Sequence, residues 1–257
     1  MEPFVTLQDR TIIVTGAAQG IGRAIAKQAA ALGANVVCVD LNAEGLEVLA
    51  TELPQGKAIT CAGSVVDQAF AQETVAKAAA QFGGVHGLVN NAGIVRAAMI
   101  EKMTVEQWNE VIAVHLTGSF FWLQAVGRHI LKRVKEGDKI AGSIINISSD
   151  GGSHGAIGQI NYAAAKAGMF GMTMTAAKEW GRYGIRTNTV CFGVVETAMT
   201  EVIRGEKFRD KILENIPLRR WTEPTEVAKS VCFLLSDASS YTTGQHIAIN
   251  GGNHISV

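Results

Sequence analysis

Seven short runs rich in β-branched residues punctuate the chain: TIIVT (11–15), NVVCVD (35–40), KAITC (57–61), GLVNN (87–91), SIINIS (143–148), RTNTVCF (186–192) and HIAIN (246–250). Each is apolar for most of its length instead of alternating, the mark of strands covered on both faces. Between most of them lie helical patterns, among them IGRAIAKQAAALG (21–33), AFAQETVAKAAAQFG (69–83) and the long stretch from Val105 to Val134. Strands alternating with helices, joined by right-handed crossovers, predict an α/β fold with a doubly wound, parallel, seven-stranded sheet and helices on both faces. The chain has 257 residues, four prolines and no Gly/Ser-rich linker, so a single domain over 1–257 is expected.

Charge excludes some functions. The 23 basic and 23 acidic side chains cancel, leaving no electrostatic footprint for nucleic acid or an anionic membrane. The basic run HILKRVKEGDK (129–139) reads as the solvated, cation-rich last turn of a helix. Cys38, Cys61, Cys191 and Cys232 lie far apart without a CxxC or Cys/His cluster, so no metal site is expected and the thiols read as buried and reduced. The start, MEPFVTLQDR, carries neither a cationic leader nor an apolar export core, and no run approaches the roughly 18 apolar residues of a membrane span. A soluble, cytoplasmic protein is expected. The polar, interrupted segment 193–222 leaves the carboxyl end of a strand and reads as a flap over the substrate.

The first strand runs into TGAAQGIG (15–22), where Gly16, Gly20 and Gly22 permit a tight turn, close approach of a phosphate, and packing of helix on strand. The amides around Gln19 and Ile21, at the helix start, would hold a diphosphate. Asp40 ends the second strand, eighteen residues past Gly22, where a carboxylate can accept both ribose hydroxyls and repel a 2′-phosphate. NAD is therefore favoured over NADP. In NYAAAKAG (161–168), Tyr162 and Lys166 stand one helical turn apart on one face. A lysine ammonium at that distance favours the phenolate and would lower the tyrosine pKa.

Taken together, these motifs resemble the classical short-chain dehydrogenase/reductase family, over nearly the whole chain. TGAAQGIG is similar to its cofactor turn and NNAG (90–93) to its central-strand motif. Ser149, Tyr162 and Lys166 fall at its catalytic positions, with thirteen residues from serine to tyrosine. The tail 216–252 resembles the 3-oxoacyl-acyl-carrier-protein reductase subgroup. The resemblance implies a Rossmann fold, a nicotinamide cofactor, a small-molecule alcohol or ketone as substrate, and a homotetramer. It implies that Tyr162 exchanges the proton, Ser149 polarises the substrate oxygen, and Lys166 also binds the nicotinamide ribose. Asn91, Ala92 and Gly93 would flank the adenosine ribose, Val195 and Thr197 would meet the carboxamide, and Gln159 would face the substrate. His154 reads as a solvent-facing loop residue.

Three positions depart from the family pattern. His115, in AVHLTG (113–118), stands where the family has a catalytic asparagine. It titrates near neutrality when free, and three consequences stay open: it holds the relay water, joins the relay, or blocks it. Phe192 replaces a proline and would offer an aromatic face near the nicotinamide. Ser64 replaces an aspartate at the adenine, where Val65 would contribute its backbone. Apolar Val95, Met99 and Phe192 suggest a moderately hydrophobic substrate. The expected reaction is hydride transfer between NAD and a secondary alcohol or ketone. The alternatives are an NADPH-dependent 3-oxoacyl-acyl-carrier-protein reductase and a catalytically weak NAD(H)-binding module.

Overall fold

The computed structural model describes residues 4–255; residues 1–3, where the leader reading begins, and 256–257 lie outside the described residues. All seven runs form strands: β1 (Thr11–Thr15), β2 (Asn35–Asp40), β3 (Ala58–Ala62), β4 (Gly87–Asn90), β5 (Gly142–Ser149), β6 (Ile185–Phe192) and β7 (His246–Ile249). They pair in parallel throughout, in the order β3-β2-β1-β4-β5-β6-β7. The order reverses between β1 and β4, which opens a crevice above their carboxyl ends, the place where such sheets bind ligands. The inner strands β1, β4 and β6 are buried along their whole length, whereas β7 alternates exposed and half-buried residues. An edge strand has one neighbour and less cover.

Helices α1 (Gly20–Ala31), α2 (Ala43–Glu52) and α10 (Pro224–Leu235) accompany one face, and α3 (Gln68–Phe82) and α5 (Ser119–Lys135) the other. Between them come α4 (Val105–Ile112), α6 (Asp150–His154), α7 (Ile160–Trp180), α8 (Glu201–Arg204) and α9 (Glu206–Asn215). The period of two in β1 divides the core. Ile12 and Val14 join Ile25, Ala29, Val227 and Val231 on the α1/α10 side, while Ile13 joins Leu88, Trp122, Val126 and Ile144 on the α3/α5 side. Each fully buried isoleucine or leucine contributes about 1.5–3 kcal/mol of hydrophobic stabilisation.

Several expectations need correcting. The long helix from Val105 is interrupted: α4 passes into a π-helical turn, Ala113–Gly118, before α5 begins. The wider turn brings His115 inside, 1% exposed. Segment 193–222 is less irregular than its composition suggests, holding a 3₁₀ turn at Ala198–Thr200 and then α8 and α9. Neither helix buries a residue fully, so local propensity, not an amphipathic core face, accounts for them. The basic end of α5 is not wholly solvated. Arg133 is buried, donates to the Val85 and Ile140 carbonyls, and pairs with Asp138. All four cysteines are buried free thiols. No helix among the described residues is long and apolar enough to cross a membrane.

Candidate active site

The glycine-rich turn lies at the reversal point of the sheet. Gly16 and Gly20 adopt φ +67 and +56, which other residues rarely tolerate. A Cβ on Gly16 would come within 2.9 Å of the Asn91 amide and Ala92 Cα, and one on Gly22 would overlap the Gly16 carbonyl. Thr15 and Asn91 lace this turn to β4. The Thr15 hydroxyl accepts from the Asn91 and Ala92 backbone N–H at 3.0 and 3.1 Å, and Asn91 Nδ2 donates to the Thr15 and Gly16 carbonyls at 2.9 and 3.2 Å. Gln19 is the extended N-cap of α1 and places no side chain over the first-turn amides; Ile21 packs on the core. Free amides, positive-φ glycines and the absence of Cβ atoms in the cradle fit a dinucleotide diphosphate.

Asp40 closes β2 beside the turn. Its Oδ2 accepts from Ala18 N and its Oδ1 from Asn42 N, both at 3.0 Å. The carboxylate is thereby oriented, with lone pairs to spare for hydroxyl groups. The Ser64 hydroxyl accepts weakly from Val66 N at 3.4 Å, and the Val65 carbonyl faces Gly118 so closely that a Cβ there would sit 3.0 Å away.

Ser149 ends β5 and caps α6, its hydroxyl accepting from Gly151 N at 3.2 Å. Tyr162 and Lys166 rise from the first turns of α7, with Lys166 Nζ 5.6 Å from the phenol ring centre. Lys166 is buried and donates to the Ile147 carbonyl at 2.6 Å. Burial pushes its pKa down to about 7, against a smaller opposing influence of Cys191. The expected lowering of Tyr162 is reversed. Burial raises the phenol above its ordinary value, outweighing a lowering hydrogen bond with Ser149.

His115 packs edge-on against Tyr162, ring centres 5.2 Å apart at 82°, and lies over Gly93, where a Cβ would strike its ring. Its Nε2 meets both the N–H and the carbonyl of Ile94, at 2.9 and 2.7 Å, while Nδ1 is buried without a partner. Burial and the Lys166 charge push the imidazole down to about 3. The histidine is therefore neutral at physiological pH and does not titrate near neutrality as free histidine does. Behind α7 runs a buried polar ladder: Asn90 donates to Asn146, Asn146 to Thr173, and Thr173 meets Thr189.

Thr197 overlies the turn, its Cγ2 3.4 Å from where a Gly20 Cβ would be, and Val195 is buried. Segment 193–222 thus starts above the glycine-rich turn. Arg204 holds it there through the Thr197 carbonyl and the Thr200 hydroxyl, at 3.1 and 3.2 Å. Gln159 is the N-cap of α7, half-buried and without a side-chain cap bond. His154 is exposed, as expected. Phe192 is not a pocket residue. It is 4% exposed and belongs to the α1/α10 core, while Met99 is exposed. Asn161 was not singled out from the sequence. Its amide donates to the Arg96 and Gln107 carbonyls at 3.0 Å each and accepts from Tyr162 N at 2.8 Å, fixing α7 to α4 and to the loop after β4.

The whole chain has known counterparts. A family profile described as enoyl-(acyl carrier protein) reductase matches residues 16–254. The 3-oxoacyl-acyl-carrier-protein reductase of Thermotoga maritima is 44% identical over 249 residues, 96% of this chain and 98% of that protein. The acetoacetyl-CoA reductase of Synechocystis sp. is 39% identical over 249 residues, with the same two coverages. Among solved structures, a short-chain dehydrogenase/reductase of Brucella melitensis, described as a glucose/ribitol dehydrogenase, superposes with a TM-score of 0.90 at 32% identity, covering 98% of this chain and 99% of that one. With its parallel seven-stranded sheet and likeness along almost its full length, the chain belongs to the short-chain dehydrogenase/reductase family and is an NAD(P)-dependent oxidoreductase acting on CH–OH groups.

Proposed function

We propose that the protein is an NAD-preferring oxidoreductase that interconverts a ketone and a secondary alcohol, with Ser149, Tyr162 and Lys166 as its catalytic residues and His115 beside them. The observation that carries this reading is the meeting of those side chains at the carboxyl end of β5 and the start of α7, next to the glycine cradle. The cofactor, held by Gly16, Gln19, Gly20, Ile21, Gly22, Asp40, Ser64, Val65, Asn91, Ala92, Gly93, Val195 and Thr197, supplies or accepts the hydride when bound. Ser149 donates a hydrogen bond to the substrate oxygen and polarises it. Tyr162, whose raised pKa keeps it protonated at neutral pH, gives its proton to the oxygen during reduction. Lys166, near 7, can return a proton to the phenol at physiological pH. Neutral His115 holds Ile94 and the edge of the tyrosine ring.

NAD preference is supported by the oriented Asp40 carboxylate, whose charge repels a 2′-phosphate. Segment 193–222 acts as the substrate flap in this reading, anchored over the turn by Arg204. Homotetramer assembly is supported by exposed Val105, Trp108 and Phe120 on α4 and α5. A second reading, an NADPH-dependent 3-oxoacyl-acyl-carrier-protein reductase, is favoured by the 44% identity to the Thermotoga maritima enzyme. The two are separated by assaying acetoacetyl-CoA, a cyclic diketone and a ketose with NADH and with NADPH. Tyr162→Phe should lower turnover by about 10²–10⁴-fold while NADH affinity stays within a few-fold. Wild-type turnover in that variant would remove Tyr162 from the mechanism.

A further inference from the structure

Directly after Ser149 comes an acid that the chemistry above does not use. Asp150 is 6% exposed, and both carboxylate oxygens are met by neutral amides from the C-terminal segment: Oδ1 accepts from Asn250 Nδ2 at 2.8 Å and Oδ2 from Asn253 Nδ2 at 3.0 Å. Asn250 Nδ2 also donates to the His254 carbonyl at 2.9 Å, and the His254 ring packs on His154 at the end of α6, centres 4.8 Å apart. Hydrogen bonds to a buried carboxylate are the strong kind, and their loss leaves the charge uncompensated.

The same segment grips the far end of the flap. Gly251 and Gly252 turn with φ +67 and +87. The Gly251 carbonyl accepts from Leu218 N at 3.1 Å, and a Cβ on Gly252 would come within 2.8 Å of Pro217. On its other side α6 lies on the catalytic helix, since a Cβ on Gly152 would sit 2.8 Å from Lys166 Cβ and 2.9 Å from its backbone carbon. One short piece of chain therefore joins the exit of the flap, the Ser149 turn and the Lys166 turn.

We propose that Asn250–His254 is a positioning strap: through Asp150 it fixes α6, and with it the Ser149 hydroxyl, in register with the flap exit at Pro217–Leu218. Asp150, Asn250 and Asn253 are positioning residues that act through Ser149 and Lys166, and the inference rests on the catalytic reading of those two. Asn253→Asp sets a second carboxylate against Asp150. It should lower kcat about tenfold for the most active ketone of the panel, a misplacement effect, with NADH Kd within about twofold. Adding Asp150→Asn restores a donor facing an acceptor and should return kcat to within about twofold of wild type. Amide hydrogen exchange over residues 150–155 should speed up in Asn253→Asp and slow again in the double variant. This readout needs no substrate.

Two outcomes overturn the strap: Asn253→Asp with wild-type exchange and kcat, or a double variant that stays as fast-exchanging and slow as the single one. Should Asn253→Asp not fold, Asn253→Ala carries the same expectation of faster exchange and lower kcat, and unchanged values there reject the proposal. Ser149→Ala is measured alongside. Full activity in that variant overturns the role of Ser149 itself, whereas an inactive Ser149→Ala with an unaffected Asn253→Asp rejects the strap alone.

Discussion

His115 presses a neutral imidazole against the Tyr162 phenol, the group proposed to carry the proton. With its pKa pushed to about 3, far below the usual 6.5, it keeps one protonation state across the range in which enzymes are assayed. A near-neutral inflection in the pH–rate profile therefore belongs to Lys166, near 7. His115→Asn should retain that inflection, and its disappearance in the variant would return the titration to the histidine. Asp40 makes a separate claim about the cofactor. Asp40→Ala removes the charge that repels a 2′-phosphate and should shift the NADPH-to-NADH ratio of kcat/KM at least about tenfold toward NADPH. An unchanged ratio would mean that the ribose lies elsewhere. Both residues were visible as candidates in the sequence, and so was the repulsion that the Asp40 charge exerts; the direction of the His115 shift was not. Burial decides the sign for His115, Tyr162 and Lys166, and burial comes from residues distant in the chain.

Among elements, the βα turn is the one whose tolerance is narrowest. A Cβ on Gly22 would overlap the Gly16 carbonyl and crowd the Asn91 amide, both of which are backbone-tied and cannot swing away. Gly22→Ala should cost about 1–3 kcal/mol of stability by denaturant unfolding and weaken NADH binding more than tenfold by fluorescence titration. Wild-type affinity would mean that the turn does not carry the diphosphate. The glycines of this turn were legible because Gly16 and Gly20 take backbone angles that other residues rarely adopt and Gly22 has no room for a Cβ. The π-helical turn at Ala113–Gly118 was not, since AVHLTG continues an ordinary helical pattern and the wider turn depends on Ile94 and Val65 meeting it in space. Phe192 was misread for a related reason. Every residue of β6 is buried, so burial cannot tell its faces apart, though parity with Val190 assigns it to the α1/α10 core. The tie from Asp150 to Asn250 spans 100 residues and leaves no local trace.

For the molecule as a whole, the end of the sheet opposite the candidate site contributes to the acid sensitivity of stability, alongside buried His115. His86 Nδ1 accepts from Thr11 N and His129 Nε2 from Val85 N, both at 3.0 Å, so each must be unprotonated at that nitrogen. Burial, with Arg133 next, pushes His86 down to about 4. Its folded pKa lies below its unfolded value of 6.5, so the folded state binds fewer protons between the two. The stability it contributes is complete above 6.5 and falls as the pH drops toward 4, by about 2–3 kcal/mol. Urea unfolding at pH 7.5 and 4.5 should show that loss together with a comparable share from His115, and His86→Gln, which keeps an acceptor, should remove the His86 share; an unchanged loss in the variant would discharge His86. The sheet itself was read correctly because β-branched runs announce strands wherever they fall, and parallel order follows from the intervening helices. The polar ladder Asn90–Asn146–Thr173–Thr189 has a last consequence. Lifting α7 from the sheet would strand these buried amides and hydroxyls together, so α7, which carries the proposed catalytic pair, is expected to open with β4, β5 and β6 and not to fray alone, and its amides should exchange as slowly as theirs.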